Sequence, residues 1–186
     1  YTIPDGVTSI GELAFHQCPE LTSITIPDGV TSIGDGTFNG CISLTSITIP
    51  DSVTSIGRSA FQSCTSLTSI TIPDSVTSIA DWAFADCFAL KSVIIGNSVT
   101  SIGDWAFVDC ESLTDITFRG NAPTLGGGNV FLRVPANAKV FIYEGASGFG
   151  GRFGGFSVVV QKNPFAGDTD KDGWKDETEV LFGSSP

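Results

Sequence analysis

The chain has 186 residues, of which 41% are apolar, 10% aromatic and 16% charged, and its formal charge is −11 from 20 acids against nine bases. That length suits one domain, or one domain with a small appendage. The apolar content is too high for a disordered chain, and no apolar run approaches the ~18 residues of a membrane span. The acidic balance opposes a phosphate backbone or an anionic lipid surface, so neither nucleic-acid binding nor direct membrane insertion is expected. A processed product or a fragment is expected from a chain that begins at Tyr1 and contains no methionine.

The chain repeats itself. Cys18, Cys41, Cys64, Cys87 and Cys110 are each 23 residues apart, as are Phe15, Phe38, Phe61, Phe84 and Phe107. Ile10 to Ile102 and Leu21 to Leu113 keep the same interval. A fixed period at independent positions means stacked structural units. A Pro-Asp turn comes first in four units, as at Pro50 and Asp51, because proline presets φ and the Asx side chain bonds the local backbone; Gly96-Asn97 takes its place in the next. A short extended piece, 53–56, follows. Residues 57–64 place Ala60, Phe61 and Cys64 at helical spacing, which predicts about one 3₁₀ or α turn. Residues 67–72 alternate, with Ile70 and Ile72 on one side and Ser69 and Thr71 on the other, and are β-branched: a strand. One such unit cannot bury its own apolar face. Parallel strands stacked ~4.8 Å apart would do so, building a parallel β-solenoid with a continuous column of Ile, Leu, Phe and Cys.

A degenerate sixth unit follows. Leu125 takes the place of Ile102, Phe131 that of Phe107 after one inserted residue, Val134 that of Cys110, and Val140 and Ile142 those of Ile116 and Phe118. The glycine-rich run 146–156 and the strand-like 157–161 complete a C-terminal cap. At the other end Tyr1-Thr2 corresponds to Ile24-Thr25, so the chain starts within a repeat. The expected organisation is a solenoid over 1–161 and a separate calcium-binding segment over 162–186.

The run Leu67-Thr68-Ser69-Ile70-Thr71-Ile72 resembles the L-x-x-L-x-L strand of leucine-rich repeats. With the Ile-Pro-Asp, Val-x-x-Ile-Gly, Ala-Phe and Cys elements, the unit is similar to the 23-residue BspA-like subfamily found largely on bacterial and some protist surfaces. Gly or Ser stands where ordinary leucine-rich repeats carry asparagine, so an asparagine ladder is not expected. The resemblance implies a secreted or surface-attached binding or adhesion module that recognises protein or glycan and is not an enzyme.

Three readings fit the cysteines: free buried thiols, occasional disulfides between neighbouring repeats, or a metal site. The odd count, Val134 in the same slot and the lack of C-x-x-C spacing favour small apolar fillers. His16 aligns with Asn39, Gln62, Ala85 and Val108, and no nucleophile can be tied to a base. Asp5, Asp28, Asp51 and Asp74, followed by Asn97, read as turn caps more readily than as a cation ladder.

The outward strand face, with Ser46, Thr48, Ser69 and Thr71 at its centre, is uniform and hydroxyl-rich. It suits a periodic target such as a glycan, a second copy of the chain, or an ice lattice, for which thermal hysteresis is the test; plain β-surface filling is the other reading. Trp82 and Trp105 occupy one slot of adjacent repeats and should lie side by side, either as a binding platform or as shielding of the core.

Residues 168–179 match the twelve-residue EF-hand loop. Asp168, Asp170 and Asp172 stand at positions 1, 3 and 5, Gly173 at 6, the Trp174 carbonyl at 7, Asp176 at 9 and Glu179 at 12. Dense carboxylates repel unless a cation neutralises them, so Ca²⁺ is the expected cofactor. No entering helix can form through Pro164, and the stretch resembles the bacterial thrombospondin type 3-like calcium repeats, or half of a dockerin. Charge is uneven: residues 1–117 carry 13 acids and two bases, whereas 118–167 carry one acid and five bases. Head-to-tail self-association into a filament or matrix is therefore an alternative to ligand binding at a cell surface.

Overall fold

The computed structural model describes residues 1–127 and 129–163. Each 23-residue unit makes one turn of a solenoid with three sides. The first side carries β1 (Ser23–Thr25), β3 (Ser46–Thr48), β5 (Ser69–Ile72), β7 (Ser92–Ile95), β9 (Asp115–Phe118), β11 (Lys139–Tyr143) and β13 (Phe156–Gln161). The second carries β2 (Ser32–Ile33), β4 (Ser55–Ile56), β6 (Ser78–Ile79), β8 (Ser101–Ile102) and β10 (Thr124–Leu125). Equivalent residues pair in parallel on both, for example Ile70 with Val93, Val93 with Ile116, and Ile56 with Ile79. The register is set by the apolar pattern, since a one-residue slip would turn every isoleucine to solvent. Bridges from Thr2 to Thr25 and from Ile10 to Ile33 bring the first residues into the same register.

The third side, residues 57–64 and their equivalents, contains no helix among the described residues. It is a run of tight turns in which amides alternate in direction. The N–H groups of Ala60, Gln62 and Cys64 donate back to the carbonyls of Gly57, Ser59 and Phe61. Those of Ser59, Phe61 and Ser63 donate across to Asp81, Ala83 and Ala85 of the next unit. Alternation requires left-handed residues. The slot two before each Phe is left-handed in all five regular units (Leu13, Gly36, Ser59, Trp82, Trp105), and so is the slot two after it (Gln17, Gly40, Ser63, Asp86, Asp109). A 3₁₀ turn starts in every unit but cannot propagate, because the stack takes half of its amides for inter-repeat bonds.

Inside, Phe15, Phe38, Phe61, Phe84, Phe107 and Phe131 form one column with centroids 5.1–5.5 Å apart and rings within 16° of parallel. The degenerate unit aligns as its residues require: Leu125 pairs with Ile102, Val140 with Ile116 and Ile142 with Phe118. β13 adds to β11 in parallel, and β12 (Arg152–Phe153) folds back antiparallel on β13. Phe156 then meets Phe131 edge-on, and Phe149 and Phe153 pack on Phe118, closing the column with aromatic edges.

Candidate functional site

On the strand side, apolar residues point in and hydroxyls out. Ser23, Thr25, Ser46, Thr48, Ser69 and Thr71 are all exposed, while Ile24 and Ile70 are buried. Other hydroxyl slots are engaged in holding repeats together. Thr54, Thr77 and Thr100 donate to the carbonyl one repeat back at 3.2–3.3 Å, and Ser52 and Ser75 donate to Val30 and Val53 at 2.6 Å. The hydroxyls of Ser46, Thr48, Ser69 and Thr71 make no such bond among the described residues.

Between β3 and β5 the ladder is interrupted. The two strands are neighbours, linked by the Thr68 N–H to the Thr45 carbonyl at 3.3 Å, but they do not pair as β5 and β7 do. A cleft of about 290 Å³ opens there. Ser46, Thr48, Ser69 and Thr71 line it, Ile47 and Ile70 form its floor, and Asp51 and Arg119 lie at its rim. Ile47 is half-exposed in consequence. The Arg119 guanidinium lies 3.9 Å from Asp74. On the turn side, Trp82 and Trp105 stack with centroids 5.2 Å apart and planes 10° from parallel.

The model of the BspA type leucine rich repeat region matches residues 1–114, as six copies. The chain belongs to the BspA-type leucine-rich repeat family. Among solved structures it is similar to a leucine rich cell surface protein from Faecalibacterium prausnitzii A2-165, with 41% identity over 65% of this chain and a TM-score of 0.63. The match spans only 32% of the length of that protein. The leucine rich repeat protein of T. pallidum is 30% identical, with 72% of this chain and 77% of that one covered and a TM-score of 0.63. The pneumococcal vaccine antigen PcpA shares the fold, with a TM-score of 0.71 over 88% of this chain and 41% of that one at 22% identity. Comparison with curated proteins finds no match.

The cysteines of this BspA-type stack are free, four of them buried and Cys18 half-buried. They are more than fillers. The thiols of Cys41, Cys64, Cys87 and Cys110 each donate to the carbonyl of the Phe in the preceding unit at 3.1–3.3 Å. Burial pushes Cys41 up to about 11 and Cys110 up to about 12, and raises Cys64 and Cys87 well above the ordinary thiol value. The protonated thiol is the donor and thiolate is the nucleophile, so these groups are inert at neutral pH.

Of the Asp5, Asp28, Asp51 and Asp74 ladder only Asp74 caps an amide among the described residues, and it does so across repeats and not within its own turn. Asp74 accepts from the Asn97 N–H at 2.8 Å, and a second series not singled out from sequence does the same: Asp35 accepts from Arg58 N–H at 2.6 Å, and Asp81 from Asp104 N–H at 2.9 Å. His16 is exposed. Among the described residues no three His, Cys, Asp or Glu side chains converge on a metal position. Asp168, Asp170, Asp172, Trp174, Asp176 and Glu179 lie outside the described residues. Sequence reasoning also missed the left-handed slots, whose signal was present: Gly36 and Gly40 stand where other repeats carry Ser, Asp or Gln.

Proposed function

We propose that this chain is a non-catalytic recognition module of a cell-surface protein and that its strand face takes a glycan. One observation carries the reading. Four exposed hydroxyls, an apolar floor, a carboxylate and a guanidinium line the β3–β5 cleft, and those hydroxyls make no hydrogen bond among the described residues, whereas Thr45, Ser52, Thr68 and Ser75 beside them donate to backbone carbonyls. Alternating donors and acceptors over a small apolar floor match a pyranose ring, and the volume is near the low end of ligand pockets, roughly 300 Å³. The likeness to a Faecalibacterium protein described as a cell surface protein supports the location. The test is a glycan array beside immobilised matrix proteins, probed with the parent chain and with Ser46→Ala/Thr48→Ala and Ser69→Ala/Thr71→Ala. Retention of glycans that both variants lose is expected; retention of proteins alone, or of nothing, refutes the glycan assignment.

Calcium belongs to the same reading. Ca²⁺ held by residues 168–179 would stabilise the C-terminal segment without entering the solenoid core, because no ladder residue is a ligand. A second reading, head-to-tail self-association, is favoured by the 13 acids against two bases of residues 1–117 facing the five bases of 118–167. Light scattering that shows only monomers at high concentration removes it.

A further inference from the structure

We propose that the Trp82–Trp105 pair is a docking platform for arginine or lysine side chains of a basic polypeptide. The first argument is conformational. The slot is left-handed in every regular unit, and Gly36 (φ +60°) and Ser59 (φ +52°) show that the fold asks only for a residue tolerating that backbone. That backbone disfavours any residue with a Cβ, so glycine is the unstrained occupant, and Leu13 (φ +57°) shows that a large side chain is tolerated. Adjacent repeats nevertheless carry tryptophan at φ +60° and +61°. The backbone is pinned regardless of side chain, since the Trp82 N–H donates to the Asp104 carbonyl just as the Gly36 N–H donates to that of Arg58. Trp82 is exposed and Trp105 half-exposed, so core packing does not account for them. Beyond the stack they form with each other, neither indole belongs to the buried core, and an exposed aromatic pair on a strained backbone points to function.

The second argument is electrostatic. Asp81 and Asp104 directly precede the two indoles, and Asp86 and Asp109 close the same turns. Arg58 pairs with Asp81 at 2.8 Å and Arg133 with Asp109 at 2.9 Å. Asp86 receives only a hydrogen bond from Gln62 at 3.3 Å, and Asp104 only backbone amide donation from Gly127; neither has a cation partner among the described residues. An electron-rich indole face beside unneutralised carboxylates, on a segment with 13 acids and two bases, attracts a cation. A guanidinium or ammonium answers both features, whereas a neutral sugar would answer only the indoles. The platform lies on the turn side, away from the strand face, and does not depend on the glycan reading.

The test uses the full 186-residue chain carrying Trp174→Phe, so that indole fluorescence reports only this pair. Affinities for a hexa-arginine peptide, with hexaglutamine and a neutral oligosaccharide as controls, are measured by titration calorimetry for the parent and Trp82→Ser/Trp105→Ser, and indole quenching is followed in the parent. Serine is the native residue of this slot at Ser59, and circular dichroism checks that the fold is kept. Arginine-peptide affinity is expected to fall about tenfold in the serine variant, within the range of cation–π contacts. It should be unchanged in Ser69→Ala/Thr71→Ala, a variant that reports on the strand face alone. Equal binding by parent and serine variant would mean charge attraction without the platform and overturns the proposal. So does absence of peptide binding, or indole quenching by the oligosaccharide in place of the peptide.

Discussion

If the phenylalanine column is the structural spine, removing a ring from its middle must cost more than removing one from its end. Phe84 is fully buried and stacked between Phe61 at 5.1 Å and Phe107 at 5.2 Å. A phenylalanine buries about 150–250 Å², worth about 4–6 kcal/mol at about 25 cal/mol per Å², and core Phe→Ala changes cost about 3–5 kcal/mol. Collapse of the hole is opposed by the ladder. The Phe61 N–H to Ala83 and Phe84 N–H to Ala106 bonds, both 2.8 Å, fix the repeat spacing. Phe84→Ala should therefore fall at the upper end, about 5 kcal/mol. Phe15 is half-buried, with one parallel neighbour (Phe38) and one edge contact from Tyr1. Phe15→Ala should cost about 2 kcal/mol, since only part of the ring leaves water-free surroundings. Urea denaturation followed by circular dichroism measures both. A cost for Phe15→Ala equal to or above that of Phe84→Ala would refute the column as the source of cohesion.

Ser59→Gly and Ser63→Gly, at φ +52° and +58°, should each raise stability by about 1 kcal/mol, because glycine occupies the left-handed region freely; a loss in thermal melts would contradict the strain argument. Cys41 and Cys110 have folded values raised to about 11 and 12 from an ordinary 9.0, so below pH 9 both states keep the proton and stability is full. As pH rises above 9 the unfolded thiols ionise first, and stability should fall by about 1.4 kcal/mol per thiol per pH unit until the folded values are reached. Cys110→Val, which copies Val134, should flatten that slope in alkaline denaturation curves; an unchanged slope counts against it. Glu179→Gln should abolish calcium heat in calorimetry while leaving the solenoid melt in place, and a shifted solenoid melt would show that the two segments are coupled.

Most of the architecture was legible because a 23-residue period is a long-range constraint written directly in the chain. Once Phe61 and Phe84 occupy equivalent slots, stacking in register is the only way for both to leave water, and even the degenerate unit falls into line through Leu125, Val140 and Ile142. The turns were less legible. Residues 57–64 carry helical spacing, but a propagating helix would spend every amide within its own unit, and the neighbouring unit competes for half of them. The cysteine slot was read by size, since valine replaces it once; the thiol's hydrogen bond to a Phe carbonyl depends on a neighbour 26 residues away in the chain.

The binding surfaces divide in the same manner. That serines and threonines of the strands face outward follows from a period of two, and that two tryptophans meet follows from a period of 23. That a cleft opens between β3 and β5 does not, because residues 44–49 and 67–72 have the same sequence, Leu-Thr-Ser-Ile-Thr-Ile. Nor does the sequence show Arg119 reaching back to Asp74, or tryptophan placed on a left-handed backbone. Periodicity determines which residues share a ladder, since burial is decided slot by slot. How closely adjacent ladders pack, and which hydroxyls and carboxylates remain without a partner, is settled only when all the units compete for the same hydrogen bonds.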